Sequence, residues 1–266
     1  MSPAPASPAP SSPAPPKVVV LPDPAVLAAS VAARLLTRLV DAQAEHGTAS
    51  VVLTGGTVGI AVLRQVRESA ARSAVDWRRV DVWWGDERWV ATDDAERNDG
   101  QARTALLDAL DLDPARVHPV GAPGGPDGDD VDSAAARYAE ELGAAAPPDA
   151  VVPAFDVLLL GMGPEGHTAS IFPESPAAHD DRAALAVHGC PKPPPTRVSL
   201  GFRAITAARE VWVVAAGEEK APMVALALSG AGRVQVPVAG AVGTRQTVWL
   251  LDEAAAAELP RELRRR

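Results

Sequence analysis

Cysteine is almost absent from this chain: Cys190 is the only one in 266 residues. No disulfide can therefore form within the chain, and this usage suits a reducing compartment. No apolar run approaches the roughly 18 residues of a membrane span. Residues 1–16 lack the basic start and the apolar middle of a signal peptide. We therefore expect a cytoplasmic protein.

Aromatic residues are also scarce, at 4%, against 47% hydrophobic residues overall, so the core must be built mainly from Val, Leu and Ala. Positive charge is in deficit, and the net charge is -9. An acidic protein is poorly suited to bind nucleic acid or anionic membrane as its main partner. The basic cluster at residues 261–266 is therefore expected to be a solvated tail.

Composition divides the chain into three parts. Residues 1–16 are rich in Pro, Ala and Ser and cannot bury enough surface to offset the entropy of ordering, so we expect a disordered arm. Residues 17–260 are expected to form a single α/β domain, followed by the basic tail.

Short apolar runs alternate with amphipathic segments along this domain. Continuous apolar strands alternating with helices predict a mostly parallel, Rossmann-like sheet with helices on both faces. Strands are expected at residues 17–21, 50–53, 80–84, 117–120, 155–160, 197–200, 210–215 and 247–251. Helices are expected after Asp23, after Thr57, through residues 105–110, at residues 133–142, from Gly217 and from Asp252. Asp23 would cap the first helix, and Asn98 or Asp99 would cap the third.

Four turns that directly follow predicted strands, at Thr54, Gly85, Gly161 and Gly217, carry unusual residues. Open α/β sheets bind ligands at the carboxyl ends of their strands. We therefore expect the four turns to lie along one edge of the sheet and to form a single site.

The turn at residues 158–173 (LLLGMGPEGHTASIFP) holds one carboxylate, Glu165, and one imidazole, His167. Residues i and i+2 in extended backbone project to the same side, so Glu165 can orient His167 as a general base. The alternative is a satisfied structural histidine. The stretch also matches the GxGxxG pattern of dinucleotide folds, but Pro173 and Pro176 interrupt the helix that this motif requires.

Three further turns offer groups for an anion. Residues 54–57 (TGGT) place two glycines at a helix amino terminus, where peptide dipoles favour a phosphate. Arg88 lies among tryptophans, and Lys220 lies in the first turn of a predicted helix, where a cation is misplaced unless an anion is shared. Each feature has a simpler alternative: residues 54–57 could form a plain tight turn, Arg88 could lie in a salt-bridged surface loop, and Lys220 could be an exposed lysine.

In their order and spacing these motifs resemble those of the 6-phosphogluconolactonases over nearly the whole chain after the arm. The matching segments are LTGGT (53–57), WWGDERWV (83–90), Asn98, GMGPEGHTASIFP (161–173), RVSL (197–200), GEEKA (217–221) and WLLD (249–252).

The resemblance implies a fold shared with glucosamine-6-phosphate deaminase and ribose-5-phosphate isomerase. It also implies hydrolysis of 6-phospho-D-glucono-1,5-lactone to 6-phosphogluconate, with His167 as the catalytic base and with neither metal nor nucleotide cofactor. The sequence departs from the family pattern where Glu165 replaces a frequent Asp, where residues 201–203 (GFR) replace a threonine-rich continuation, and at the loosely matching residues 236–242.

On this hypothesis His167 takes a proton from water, and Glu165 fixes its tautomer. Backbone N–H groups around Gly163 to Gly166 are the candidates for binding the oxyanion. The 6-phosphate is expected to be held by Gly55, Gly56, Thr57, Arg88 and Lys220, with Arg197 a weaker candidate, and the substrate site to include Thr54, Asp86 and Asn98 as well.

Two alternatives share the fold. A sugar-phosphate deaminase or isomerase would carry an Asn-Glu-Pro segment after the acid-Gly-His triplet, whereas His167 is followed by TASIFP. A noncatalytic sugar-phosphate sensor would carry a DNA-binding module, for which residues 1–16 are too short. We therefore expect an enzyme that acts on a small sugar-phosphate lactone as a monomer or weak homodimer, with no metal site. His46, His118, His179 and His188 are expected to be structural or exposed.

Overall fold

The structure, a computed structural model, describes residues 15–264. Most of the predicted arm and the last two residues of the predicted basic tail lie outside this range. The strands are β1 (Lys17–Leu21), β2 (Ala49–Leu53), β3 (Val80–Trp84), β4 (Asp86–Arg88), β5 (Val157–Leu160), β6 (Ala184–Val187), β7 (Arg197–Leu200), β8 (Glu210–Ala215) and β9 (Gln246–Asp252). The α-helices are α1 (Pro24–His46), α2 (Gly56–Glu68), α3 (Asn98–Ala105), α4 (Val131–Ala144), α5 (Phe202–Ile205) and α6 (Ala221–Leu228).

Six strands form one parallel sheet in the order β1-β9-β8-β5-β2-β3. The fold class expected from the sequence is therefore confirmed. Successive strand residues point to opposite faces, and each face has its own core. Val51 and Leu53 pack with helices α1 to α3, whereas Val52 lies in the core that holds residues of α4, α5 and α6.

The first helix shows how local sequence sets these elements. Asp23 accepts hydrogen bonds from the backbone N–H groups of Ala25 and Val26, Pro24 occupies the first turn, and Gly47 ends the helix in a left-handed conformation. The acceptor before the helix bonds free N–H groups of the first turn, and proline at the start has no N–H that needs a partner. Glycine at the end adopts the left-handed conformation in which its N–H can bond a free carbonyl oxygen of the last turn. The predicted bounds of α1 are confirmed.

A second, three-stranded antiparallel sheet, β4-β7-β6, was not expected. Asp86 pairs with Ser199 and Arg88 with Arg197 in this sheet. Residues 86–88 form a strand where the sequence predicts a turn, and residues 197–200 pair in this small sheet and not with the parallel strands that alternate with helices. The small sheet places side chains from β4 and β7 next to the carboxyl edge of the large sheet.

Three local predictions were wrong. Residues 117–120 form no strand, only a bridge between Val117 and Val82. The chain after Asp252 makes turns instead of a helix, and the Asp252 carboxylate accepts the N–H groups of Gly217 and Ala255. Asn98 does not cap α3 but begins it, and residues 107–109 form a separate short 3-10 helix.

Within residues 15–264, no helix has the length and apolar character needed to cross a membrane.

Candidate active site

A cavity of about 270 Å³ lies at the carboxyl edge of the large sheet, where the four predicted turns meet. The prediction that these turns share one edge is confirmed. The predicted site residues that line the cavity are Thr54, Gly55, Gly56, Thr57, Asp86, Arg88, Asn98, His167, Arg197 and Lys220. Met162, Ala169 and Glu219 also line it and were not singled out from the sequence.

His167 and Glu165 form the expected pair at one side of this cavity. Nδ1 of His167 lies 3.0 Å from Oε1 of Glu165, and the His167 side chain is 16% exposed. Its ring stacks on Phe172, with centroids 4.4 Å apart. Because Nδ1 faces the carboxylate, Nε2 is the ring nitrogen left for a reactant in the cavity.

The charge states of the pair follow from their surroundings. Burial lowers the pKa of His167, because it disfavours the imidazolium, although the Glu165 charge opposes this shift. Burial alone would raise the pKa of Glu165, but the hydrogen bond from its own backbone N–H and the contact with Lys192 outweigh burial and lower it. At neutral pH the pair is therefore a neutral imidazole beside a carboxylate, as a general base requires.

Gly163 is needed for this pair to fit. A Cβ atom at that position would lie 2.0 Å from Nδ1 of His167 and 2.3 Å from Oε2 of Glu165, closer than any real contact. The absence of a side chain at Gly163 is therefore a packing requirement of the pair.

The amides of this turn are already engaged. The N–H of Gly163 donates to the carbonyl oxygen of His167, and the N–H of Gly166 donates to that of Gly163, each over 3.0 Å. The N–H of Glu165 faces its own carboxylate and favours the charged form. Neither Gly163 nor Gly166 lines the cavity. The structure therefore argues against these amides as oxyanion donors, contrary to the expectation from the sequence.

The groups expected to hold an anion lie on the other turns that line the cavity. Helix α2 begins at Gly56, so its first backbone N–H groups lie next to the cavity. The Arg88 side chain is 18% exposed, and its Nη1 donates to the carbonyl oxygen of Glu96. Its Nε is buried without a hydrogen-bond partner among the residues that the structure describes. Lys220 is mostly buried and lies 3.4 Å from Oε1 of Glu219.

A buried polar network holds the part of the cavity wall that lies between the His167–Glu165 pair and the cationic residues. Asp86 Oδ2 accepts a hydrogen bond of 2.7 Å from Ser170 Oγ and lies 3.8 Å from Nη1 of Arg197. Asn98 donates from Nδ2 to the carbonyl oxygen of Asp86 over 2.8 Å. The side chains of Asp86 and Asn98 are thus held by protein groups.

Glu87 anchors this wall and was not singled out from the sequence. Its buried carboxylate accepts the backbone N–H groups of Arg88, Asn98 and Asp99 and lies 3.7 Å from Nη2 of Arg97. Burial raises its pKa although Arg97 and these N–H donors oppose the shift. The carboxylate therefore takes the place of an N-cap for α3 and ties Asn98 to β4.

Lys192 is a second residue whose contact the sequence did not predict. Its Nζ lies 3.0 Å from both carboxylate oxygens of Glu165, 27 residues away along the chain. No pattern in the sequence signals this contact, because it depends on how the Pro-rich segment before β7 folds back. Across residues 15–264, no three His, Cys, Asp or Glu side chains gather as a metal site would require.

Comparison with known proteins gives a consistent result. A family model described as "Glucosamine-6-phosphate isomerases/6-phosphogluconolactonase" matches residues 22–249. The chain is 57% identical over 251 residues to a 6-phosphogluconolactonase of Streptomyces coelicolor, which covers 93% of this chain and 96% of that protein. It is 36% identical over 235 residues to the human 6-phosphogluconolactonase, and the match covers 87% of this chain and 88% of the human protein.

A comparison with solved structures gives the same family. The fold superposes on a Trypanosoma brucei 6-phosphogluconolactonase with a TM-score of 0.79 and 28% identity, covering 92% of this chain and 99% of that one.

Proposed function

This chain belongs to the family of glucosamine-6-phosphate isomerases and 6-phosphogluconolactonases, and we propose that it hydrolyses 6-phospho-D-glucono-1,5-lactone to 6-phospho-D-gluconate, the second step of the oxidative pentose phosphate pathway. The observation that carries this proposal is the pairing of two features in one cavity: a neutral His167 held by Glu165, and a separate group of cations beside a helix amino terminus.

The chemistry follows from the first feature. Nε2 of His167 takes a proton from water, and the hydroxide oxygen forms a bond to the lactone carbonyl carbon, C1. When the tetrahedral intermediate collapses, the bond from C1 to the ring oxygen breaks, and the imidazolium returns its proton to that leaving oxygen. The products are a carboxylic acid, which ionises in water, and a free hydroxyl group. Glu165 stabilises the imidazolium while it exists.

The second feature accounts for recognition of the phosphate. The backbone N–H groups of Gly56 and Thr57, at the start of α2, offer hydrogen bonds to phosphate oxygens, aided by the helix dipole. Arg88 and Lys220 supply positive charge, and Arg88 keeps a free Nε. We place Arg197 in a secondary role, since its guanidinium already contacts Asp86 and backbone carbonyl oxygens.

The proposal is tested by following acid release from freshly generated 6-phosphogluconolactone in a pH-stat. The protein should accelerate release well above the spontaneous rate, and the same amount of protein should release no ammonia from glucosamine 6-phosphate. Ammonia release without lactone hydrolysis would identify the deaminase alternative and contradict the proposal.

The rate should depend on pH through His167. Because burial lowers its pKa below the ordinary value of 6.5, kcat/KM should rise from acid pH with a midpoint below 6.5 and be flat at neutral pH. Below the midpoint the ring is protonated and cannot accept a proton from water. Initial rates across a range of buffers measure this limb. A midpoint at or above 6.5 would contradict the assignment of the base.

We further propose that residues 17–260 act as one catalytic domain, as a monomer or weak homodimer in the cytoplasm. The buried single cysteine, Cys190, and the net charge of -9 support this location. Because a lactone is an activated ester, we propose that water activated by His167 suffices and that neither a metal nor a nucleotide takes part.

A further inference from the structure

We propose that Lys192 is a positioning residue for the hydrolytic reaction, acting through Glu165 to hold the His167 ring in place. This inference rests on the proposed function and adds a residue to its machinery. Lys192 does not line the cavity and does not touch the substrate site. It contacts the carboxylate that orients the base.

The first support is the geometry of the carboxylate. Nζ of Lys192 lies 3.0 Å from Oε1 and 3.0 Å from Oε2 of Glu165, so it contacts both oxygens. Oε1 is also the oxygen that lies 3.0 Å from Nδ1 of His167. Glu165 is 33% exposed and sits on a turn, where a glutamate has three rotatable bonds. A cation bridging both oxygens restricts that rotation and keeps Oε1 on the imidazole.

The second support is the way in which Lys192 is itself held. Arg197 is 7% exposed, and it donates from Nη2 to the carbonyl oxygens of Lys192 and Pro193 and from Nε to that of Pro194. The N–H of Cys190 donates a hydrogen bond to the carbonyl oxygen of Pro195 and so joins the two ends of the same segment. The lysine backbone is therefore anchored to β7, and its ammonium reaches Glu165 from a fixed point.

The charge of Lys192 also acts on the His167 ring. The charged groups acting on His167 are Glu165 and Asp86, which favour the imidazolium, and Lys192, which disfavours it. The other charges facing the cavity are Arg88, Arg197, Glu219 and Lys220. Nζ of Lys192 and Nδ1 of His167 both lie 3.0 Å from Oε1, so they are at most about 6 Å apart. Removing the ammonium should therefore make the ring easier to protonate.

An exposed ion pair between a lysine and a glutamate normally contributes little to stability. If the ammonium acted on His167 by its charge alone, its removal would raise the His167 midpoint but leave kcat at neutral pH nearly unchanged, because the ring would stay in place and neutral. The test must therefore follow kcat as well as the histidine, and not only the folded state.

The experiment compares Lys192→Met, Lys192→Arg and the wild-type chain, with Lys17→Met as a matched control. Lys17 is exposed at the amino end of β1, away from the cavity edge, and its removal takes away the same charge. Proton NMR follows the titration of the His167 ring, assigned by its loss in His167→Gln, and lactone hydrolysis gives kcat and KM across pH.

We expect Lys192→Met to move the His167 midpoint upward by about 0.5 to 1 pH unit. It should also lower kcat at neutral pH by about 5- to 20-fold, a small part of the 100- to 10,000-fold contribution of a positioned general base, while KM changes little. Lys192→Arg should restore most of both values, and Lys17→Met should match the wild type. An unmoved midpoint in Lys192→Met would overturn the proposal, and so would a raised midpoint with kcat at neutral pH nearly unchanged.

The NMR titration needs no substrate, so the inference about Lys192 is separable from the proposed function. A wild-type chain that fails to hydrolyse the lactone would refute the function and so the reaction in which Lys192 is placed. A working wild type with an unchanged midpoint in Lys192→Met refutes only the role of Lys192.

Discussion

Replacing His167 with alanine should lower kcat for 6-phosphogluconolactone by about 100- to 10,000-fold, the usual contribution of a positioned general base. KM should change much less, because the groups that we propose to hold the phosphate lie on other turns of the cavity. The reason is specific to this site: the ring is held 3.0 Å from Glu165, its pKa is lowered by burial, and Nε2 is left for water. Single-turnover and steady-state rates measure the effect.

The control for this variant is binding of the product, 6-phosphogluconate, measured by calorimetry. Product affinity should stay within a few fold of the wild type, which shows that the cavity is intact. A lactonase rate within a few fold of the wild type in His167→Ala would mean that another group activates the water.

Replacing Arg88 with methionine should lower kcat/KM for the phosphorylated lactone by about 10- to 150-fold, since a hydrogen bond to a charged group contributes about 1.5 to 3 kcal/mol. Arg88 lines the cavity and is mostly buried, and Glu96 engages only its Nη1, so we expect the rest of the guanidinium charge to act on a phosphate oxygen. Methionine preserves the length of the apolar stem while removing the charge.

Glucono-1,5-lactone without its phosphate is the matched substrate for this test. Its slower hydrolysis should be nearly equal in the wild type and in Arg88→Met, because the chemistry at His167 is untouched. An equal loss on both substrates would show that Arg88 acts on folding or on the reaction itself. Arg78→Met, which removes an exposed guanidinium near the surface residue Asp111, controls for the loss of one positive charge.

The sequence was sufficient to predict the large sheet and the edge that carries the site. Continuous apolar strands alternating with helices leave few arrangements, and parallel strands bring their carboxyl ends together. The turns at Thr54, Gly85, Gly161 and Gly217 could therefore be placed in one cavity before any contact was known. Glu165 and His167 could be paired because their spacing is local.

The small antiparallel sheet could not be predicted in the same way. Residues 86–88 (DER) are polar and too few to show an alternating pattern, and their partners in β7 are more than 100 residues away. What makes this segment a strand is a tertiary pairing. The start of α3 has the same origin, because the group that takes the place of its cap is Glu87, which lies on β4 and not beside the helix in sequence.

The contacts that refine the site are likewise long-range. Lys192 reaches Glu165 through a Pro-rich segment that Arg197 holds, and no local pattern encodes that path. The sequence also suggested the N–H groups of Gly163 and Gly166 as oxyanion donors, whereas the folded turn uses both in its own hydrogen bonds. The residue types of the site were thus predictable, but the partners of each group were not.

The most direct measurement is a crystal structure of the protein with 6-phosphogluconate bound. We predict that the phosphate lies against Arg88, Lys220 and the first N–H groups of α2, with the C1 carboxylate beside Nε2 of His167. A sugar bound in the opposite direction, or a phosphate held outside this cavity, would contradict it.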